Sequence, residues 1–453
     1  MPRFLAHGLG GVQDLPVPIW LFYWGGAVVL VVSFVLLGAL WRTPQLAARS
    51  AGREVGPGLG RVVLGSLRIV AQAISVVLLL LVLATALVGT TDPLANLAPT
   101  WVYVAFWLGL PVLSLLLGNV WRALSPWRAL ADAGVWTWER LGREARPLAA
   151  YPERYGRYPG VVALFAFVAL ELAYSDPSSP RALAFAIALY SYVTLFGMIA
   201  FGRDCWTERG EGFAILFAYF ARMAPLSVDE RRLRLRLPLT GLTGTDPVPG
   251  STLFLAVALG SVGFDGYSRT ITWQNLVARV EGPFVVDQPG LAELAVIGLN
   301  LTGLLAAAAV VLLAFSIACA VARSMVTGPR SLLADFVLSL VPIAFVYAVA
   351  HYFSLFVIQG QFLAPLASDP FGKGWDIFGT SDVQPNIAAL SPNTIWYVQV
   401  AALVVGHVAG LMIAHDRAVA IFREREDALR SQYAMLALMV IYTAGGLWLL
   451  SRG

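Results

Sequence analysis

Apolar residues run along this chain in blocks of about 18 to 28, each bounded by arginines or by stretches rich in proline and glycine. That is the length a helix needs to cross about 30 Å of hydrocarbon. Strands of a membrane barrel would be about half as long and would alternate in polarity. Backbone groups in lipid must find their hydrogen bonds within the segment, so helices are the structure that fits these blocks. They predict ten spans, at 18–41, 69–90, 99–118, 159–176, 182–202, 250–266, 293–322, 331–358, 394–414 and 433–450. The expected fold is an all-α polytopic transmembrane helix bundle. It divides into an N-terminal segment 1–17, a five-helix half 18–202, a connecting loop 203–249 and a second five-helix half 250–453.

Composition agrees with that pattern. Hydrophobic residues make up 58% of the chain and charged residues 13%, with a mean hydropathy of +0.73; soluble domains carry about a quarter charged residues. The basic residues are distributed by side. Of 31, all but Arg3, Arg181, Arg269, Arg279, Lys373 and Arg452 fall in the connections after the first, third, fifth, seventh and ninth spans. The positive-inside rule then places both termini on the outer face of a bacterial-type inner membrane. The net charge of +4 is thereby a topology signal, and no nucleic-acid partner is expected. Cys205 and Cys319 lie far apart and offer neither a disulfide framework nor a CxxC metal site.

Some segments depart from simple alternation. The first apolar run follows Asp14, exceeds 20 residues and lacks a small-residue cleavage site, so it is expected to stay as a helix. GFAILFAYFARMAP, from Gly212 to Pro225, is apolar but too short to cross, which predicts an interfacial or re-entrant helix in the 203–249 loop. After the ninth span, HDRAVAIFREREDALRSQ holds no helix breaker, so that helix is expected to continue past the membrane with its charges as a solvated face. Two outer loops, 267–292 and 359–393, carry Trp273, Phe284, Phe371, Trp375 and Phe378. Loops of that size cap sites or bind partners, here a further membrane subunit or a periplasmic protein; the alternative is an aromatic belt at the lipid interface.

Ionisable groups inside spans cost at least about 2.5 kcal/mol each on insertion scales, so each needs a partner or a purpose. His351 lies in the outer third of the eighth span, His407 near the middle of the ninth and His415 at its inner end; Glu171 is near the outer end of the fourth, Asp265 ends the sixth and Asp335 begins the eighth. The remaining histidine, His7, is seven residues before Asp14 on the outer N-terminal segment. Three readings compete. His7, His351 and Asp265 would ligate a divalent metal, with Glu171 or Asp14 orienting an attacking water. His351 and His407 would instead bind a haem cofactor between adjacent helices, although depths of about 10 and 18 Å mismatch. Or His351, His407 and Asp335 would mark a path for protons or a solute. Against all three stands plain packing through interhelical hydrogen bonds. Gly25, Gly26, Gly260, Gly263 and Gly266 pose the same choice between broken helices at a binding site and close helix contact. No GxxxxGKS loop, GxSxG elbow, HExxH or HxH pair is present.

AHGLGGVQDLPVPIWLF, GNVWRALSPWR, GEGFAILFAYFARMAPL, the FDG at Phe264–Gly266, AHYFSLFVIQGQ and GHVAGLMIAHDRA are spread over most of the chain. The chain in these stretches resembles bacterial multi-span proteins labelled fenitrothion hydrolase. That resemblance implies hydrolysis of the phosphorus–aryloxy bond of an organophosphorus ester, a reaction an outer-facing metal site would serve by polarising the phosphoryl group and acidifying bound water. It supplies no active-site motif to carry over residue by residue.

Overall fold

A computed structural model describes residues 18–55, 59–229, 232–243, 247–327 and 331–451. His7 and Asp14 lie outside the described residues. The first half contains α1 (Ile19–Leu40), α2 (Gln45–Ala48), α3 (Leu59–Val88) and α4 (Leu97–Thr100), which runs through a π-helical stretch, Trp101–Gly109, into α5 (Leu110–Leu117). Then come α6 (Trp121–Leu124), α7 (Pro126–Arg140), α8 (Tyr158–Leu172), α9 (Pro180–Phe201), α10 (Arg203–Arg209) and α11 (Gly212–Ala221). The second half has α12 (Ser251–Ser268), α13 (Ile271–Glu281), α14 (Pro289–Ser324), α15 (Leu332–Phe336), α16 (Leu340–Gln359), α17 (Leu363–Ser368), α18 (Pro392–Ile421) and α19 (Arg425–Leu450).

Among the described residues, nine helical stretches are long and apolar enough to cross a membrane. The expected sixth span is α12, whose 18 residues would reach about 27 Å. Asp265 and several serines and glycines dilute its hydropathy, and α8, α14 and α16 enclose it, so it has little need of a lipid-facing surface. The outer helices do have one: Val35, Val77, Phe185 and Val310 are all more than half exposed, as side chains facing lipid would be.

The two ends of the bundle differ. At one, arginines pair with acids from other connections: Asp132 receives Arg68 at 2.7 Å and also Arg203, while Arg128 reaches Asp204 at 2.5 Å. Burial acts to raise the Asp204 carboxyl, but Arg128, Arg203 and Arg122 outweigh it and hold it below its ordinary range. At the opposite end the 359–393 loop folds onto the chain's own 89–97 turn, through Thr90 N–H to the Phe371 carbonyl at 2.9 Å. In the 267–292 loop α13 forms, capped by Thr270, and Trp273 is buried while donating to Asn300 at 3.1 Å. Phe378 remains 68% exposed.

Several local expectations change. A small antiparallel sheet joins β1 (Arg53–Val55), β2 (Leu226–Asp229) and β3 (Arg232–Leu235) in the order β1-β3-β2, linking two Arg-rich connections read as loops. The α11 helix is capped by Glu211 and enclosed by protein on every side, so it presents no apolar face to lipid. The ninth-span helix does extend, to Ile421, but Phe422 turns to extended backbone and α19 starts anew at Arg425. Its polar residues are not a solvated face throughout: Asp416 is 1% exposed and accepts the N–H groups of Gln45 (2.6 Å), Leu46 (3.0 Å) and Ala47 (3.0 Å), with Trp41 Nε1 at 2.9 Å. It caps the N-terminus of α2 from a distant part of the chain. Finally, α1 and α12 are unbroken. A Cβ at Gly260 would lie 2.6 Å from the backbone of Ala308, so this glycine serves close packing of α12 on α14.

Candidate functional site

The end of α12 away from the Arg-rich connections carries Asp265 and, one turn on, Arg269, which the helix places on the same face. The neighbouring α16 supplies His351 and Tyr352. Among the described residues, four hydrogen bonds converge on the Asp265 carboxylate: Arg269 Nη2 donates to Oδ1 at 3.1 Å and Oδ2 at 3.3 Å, His351 Nε2 to Oδ2 at 2.7 Å, and the Tyr352 hydroxyl to Oδ2 at 2.9 Å. Arg269 Nη2 also lies 3.3 Å from His351 Nε2, two donors converging on one acceptor. An ionised carboxylate is acceptor-only, so this arrangement puts the histidine proton on Nε2 and leaves Nδ1 with the lone pair. The Asp265 side chain is 1% exposed, His351 9% and Arg269 21%.

Glu171, in the last turn of α8, is buried and interacts electrostatically with Asp265 and Arg269. Its Oε2 has no hydrogen-bond partner among the described residues. The structure therefore brings together Asp265, His351 and Glu171 of the residues singled out by sequence, and adds Arg269 and Tyr352. The Asp–x3–Arg spacing on one helix was a readable signal for Arg269; nothing in the sequence marked Tyr352.

His407 lies elsewhere. It is fully buried, its Nδ1 donates to the Leu403 carbonyl at 2.8 Å, and Nε2 has no partner among the described residues. Tyr347, one turn before His351, stands beside it with ring centroids 6.1 Å apart, and the Tyr347 hydroxyl donates to the Tyr442 carbonyl at 2.8 Å. A small cavity beside His351 is walled by Gly266, Tyr347, Ala350, Leu403 and Gly446. These residues do not fit a haem: His351 Nε2 is committed to Asp265, and Tyr347 sits beside His407 where a porphyrin would need an open slot.

For a divalent ion, no three His, Cys, Asp or Glu side chains converge as a ligand set among the described residues. The Arg269 guanidinium already lies against both Asp265 oxygens, where a bound cation would sit.

At the Arg-rich end, Asp335 on α15 accepts from Arg417 on α18 at 2.7 and 3.2 Å. A cleft there is lined by Thr243, Asp335, Leu338, Ile413, Asp416 and Arg417. His415 is held between the Gln432 side-chain oxygen at 3.1 Å and the Trp41 carbonyl at 3.0 Å, a packing role.

The α16–α18 interface thus has a cleft at one end, a small cavity and a charged cluster at the other, and a buried histidine between them. Comparisons with known protein families, with curated proteins and with solved structures return no match.

Proposed function

We propose that this chain is a multi-pass protein of a bacterial-type inner membrane, with both termini outside, and that the Asp265–His351 cluster is a proton-exchange site on its outer side. The observation that carries this reading is the fourfold hydrogen bonding of Asp265, which fixes the imidazole and leaves Nδ1 to take and release a proton. Asp265 stabilises the imidazolium so formed, and Glu171 is a second carboxylate within electrostatic reach. His407 lies between this cluster and the Asp335 cleft along α16 and α18, the arrangement of a proton-coupled transporter.

The test is proton movement in proteoliposomes followed with a trapped pH dye. Wild type is expected to relax an imposed solute or pH gradient faster than empty vesicles, with H351Q and H407Q each returning to the empty-vesicle rate. Wild-type flux unchanged in both variants would remove the proton path.

A second reading, ester hydrolysis on the outer side, is favoured by the sequence resemblance and by the His–Asp pair itself, which has the form of a general base and its orienting carboxylate. It is assayed on the same preparations with an aryl phosphotriester and elemental analysis. Turnover lost in H351A with intact dye response would favour the hydrolase, and metal lost with it would restore a metal-dependent mechanism.

A further inference from the structure

A second set of charges, at the Arg-rich end, has no part in that reading. Tyr219, 1% exposed near the end of α11, has two guanidiniums beside its ring: Arg157 is 4.8 Å and Arg222 5.9 Å from the centroid. Arg157 precedes the first residue of α8 and donates to the Tyr219 hydroxyl, to Ser251 Oγ at 3.3 Å and to the Glu208 carbonyl at 3.3 Å. A third arginine, Arg236, donates to the carbonyls of Ala221, Arg222 and Ala224, which closes the C-terminal end of α11.

Arg236 is therefore accounted for by the helix end, but Arg222 is not. Among the described residues its side chain makes no hydrogen bond or ion pair, and none of the three arginines has a carboxylate within ion-pair distance. Glu208 on α10, the acid that acts on Arg222 electrostatically, is exposed and makes no ion pair with it. Burial and then the neighbouring Arg157 push the Arg222 guanidinium below its ordinary range, an effect that Tyr219 and the more distant Glu208 oppose without overcoming it. The N-terminal ends of α8 and α12, at Arg157 and Ser251, add their positive dipoles on the same side.

We infer that Arg157 and Arg222, flanking Tyr219, form a binding site for a phosphate group at the Arg-rich end of the bundle. Planar guanidiniums hold phosphate oxygens in paired hydrogen bonds, and a partly desolvated pair of them is costly without an anion. The phosphate has two sources, the headgroup of an anionic lipid in the adjacent leaflet or a free phosphate ion. The inference does not depend on the proton-exchange reading, because the two clusters share no residue.

The experiment is retention of phosphatidylglycerol through detergent purification, read by native mass spectrometry, beside thermal-shift titration with inorganic phosphate. R222Q is compared with wild type and with the charge-keeping R222K, and R157Q gives the same readouts independently of how well R222Q folds. With a lipid headgroup, R222Q retains the lipid about fivefold more weakly than wild type, while R222K, which keeps the charge but not the paired donors, falls between them. With free phosphate, wild type shows the thermal shift, R222Q and R157Q lose it, and lipid retention does not differ. Equal retention and equal shifts in wild type, R222Q and R157Q would overturn the site.

Discussion

Asp265 is where one side chain governs the state of three others. Replacing it with alanine takes from the half-buried Arg269 guanidinium one of its contacts, from the imidazole its acceptor and from the tyrosine hydroxyl its acceptor, and it removes the 1%-exposed member of the pair. Breaking a buried ion pair from one side costs about 3–5 kcal/mol, whereas Y352F removes one hydrogen bond and costs about 1 kcal/mol. Unfolding in detergent should show D265A losing several times the stability that Y352F loses; equal losses would mean that Asp265 is not the hub. At this scale the sequence was partly legible. Charged residues inside apolar runs are rare enough that Asp265, Glu171 and His351 stood out singly. Which of them meet depends on how α8, α12 and α16 rotate against one another, and a hydrophobic pattern with no strong face leaves that rotation open. Asp416 shows the reverse error: it sits among charges that looked solvated, and only the distant start of α2 reveals what it binds.

Helices here meet at glycines placed for particular neighbours. On α19, a Cβ at Gly446 would fall 2.0 Å from the Tyr347 hydroxyl, and on α18 one at Gly406 would fall 2.1 Å from Val346. G446A therefore has to displace Tyr347 and break its bond to the Tyr442 carbonyl, a cost of about 1–3 kcal/mol. At Gly263 a Cβ meets nothing within 4 Å, so G263A is expected to be neutral or to gain up to about 1 kcal/mol of helix propensity. Thermal denaturation of the two variants distinguishes them, and equal tolerance would dismiss the packing argument. Long elements were legible because lipid imposes one length on every crossing helix. The exceptions have local causes. Pro111 has no N–H to offer the Trp107 carbonyl, and the helix before it is π-helical. The β1–β3 pairing joins segments about 180 residues apart, beyond any window in which periodicity is read.

For the molecule as a whole, the two ends carry different chemistry. Arginine pairs and the small sheet tie the connections at one end, while turns and aromatic loops close the other. The orientation proposed from the basic residues puts the Arg-rich end on the inner side, and it is open to direct test. Alkaline phosphatase joined after residue 451 should be active, and the same reporter joined at residue 145 should be inactive; the reverse pattern would invert the topology.

The cap that Asp416 places on α2 also has a consequence for synthesis. Gln45 and Asp416 are separated by 371 residues, which a ribosome making about 5–20 residues per second takes about 20–75 s to cover. Throughout that interval the stub following the first helix waits for an acceptor that has not yet been made. Chains interrupted before residue 416 keep that stub open, and a quality-control protease would meet it there.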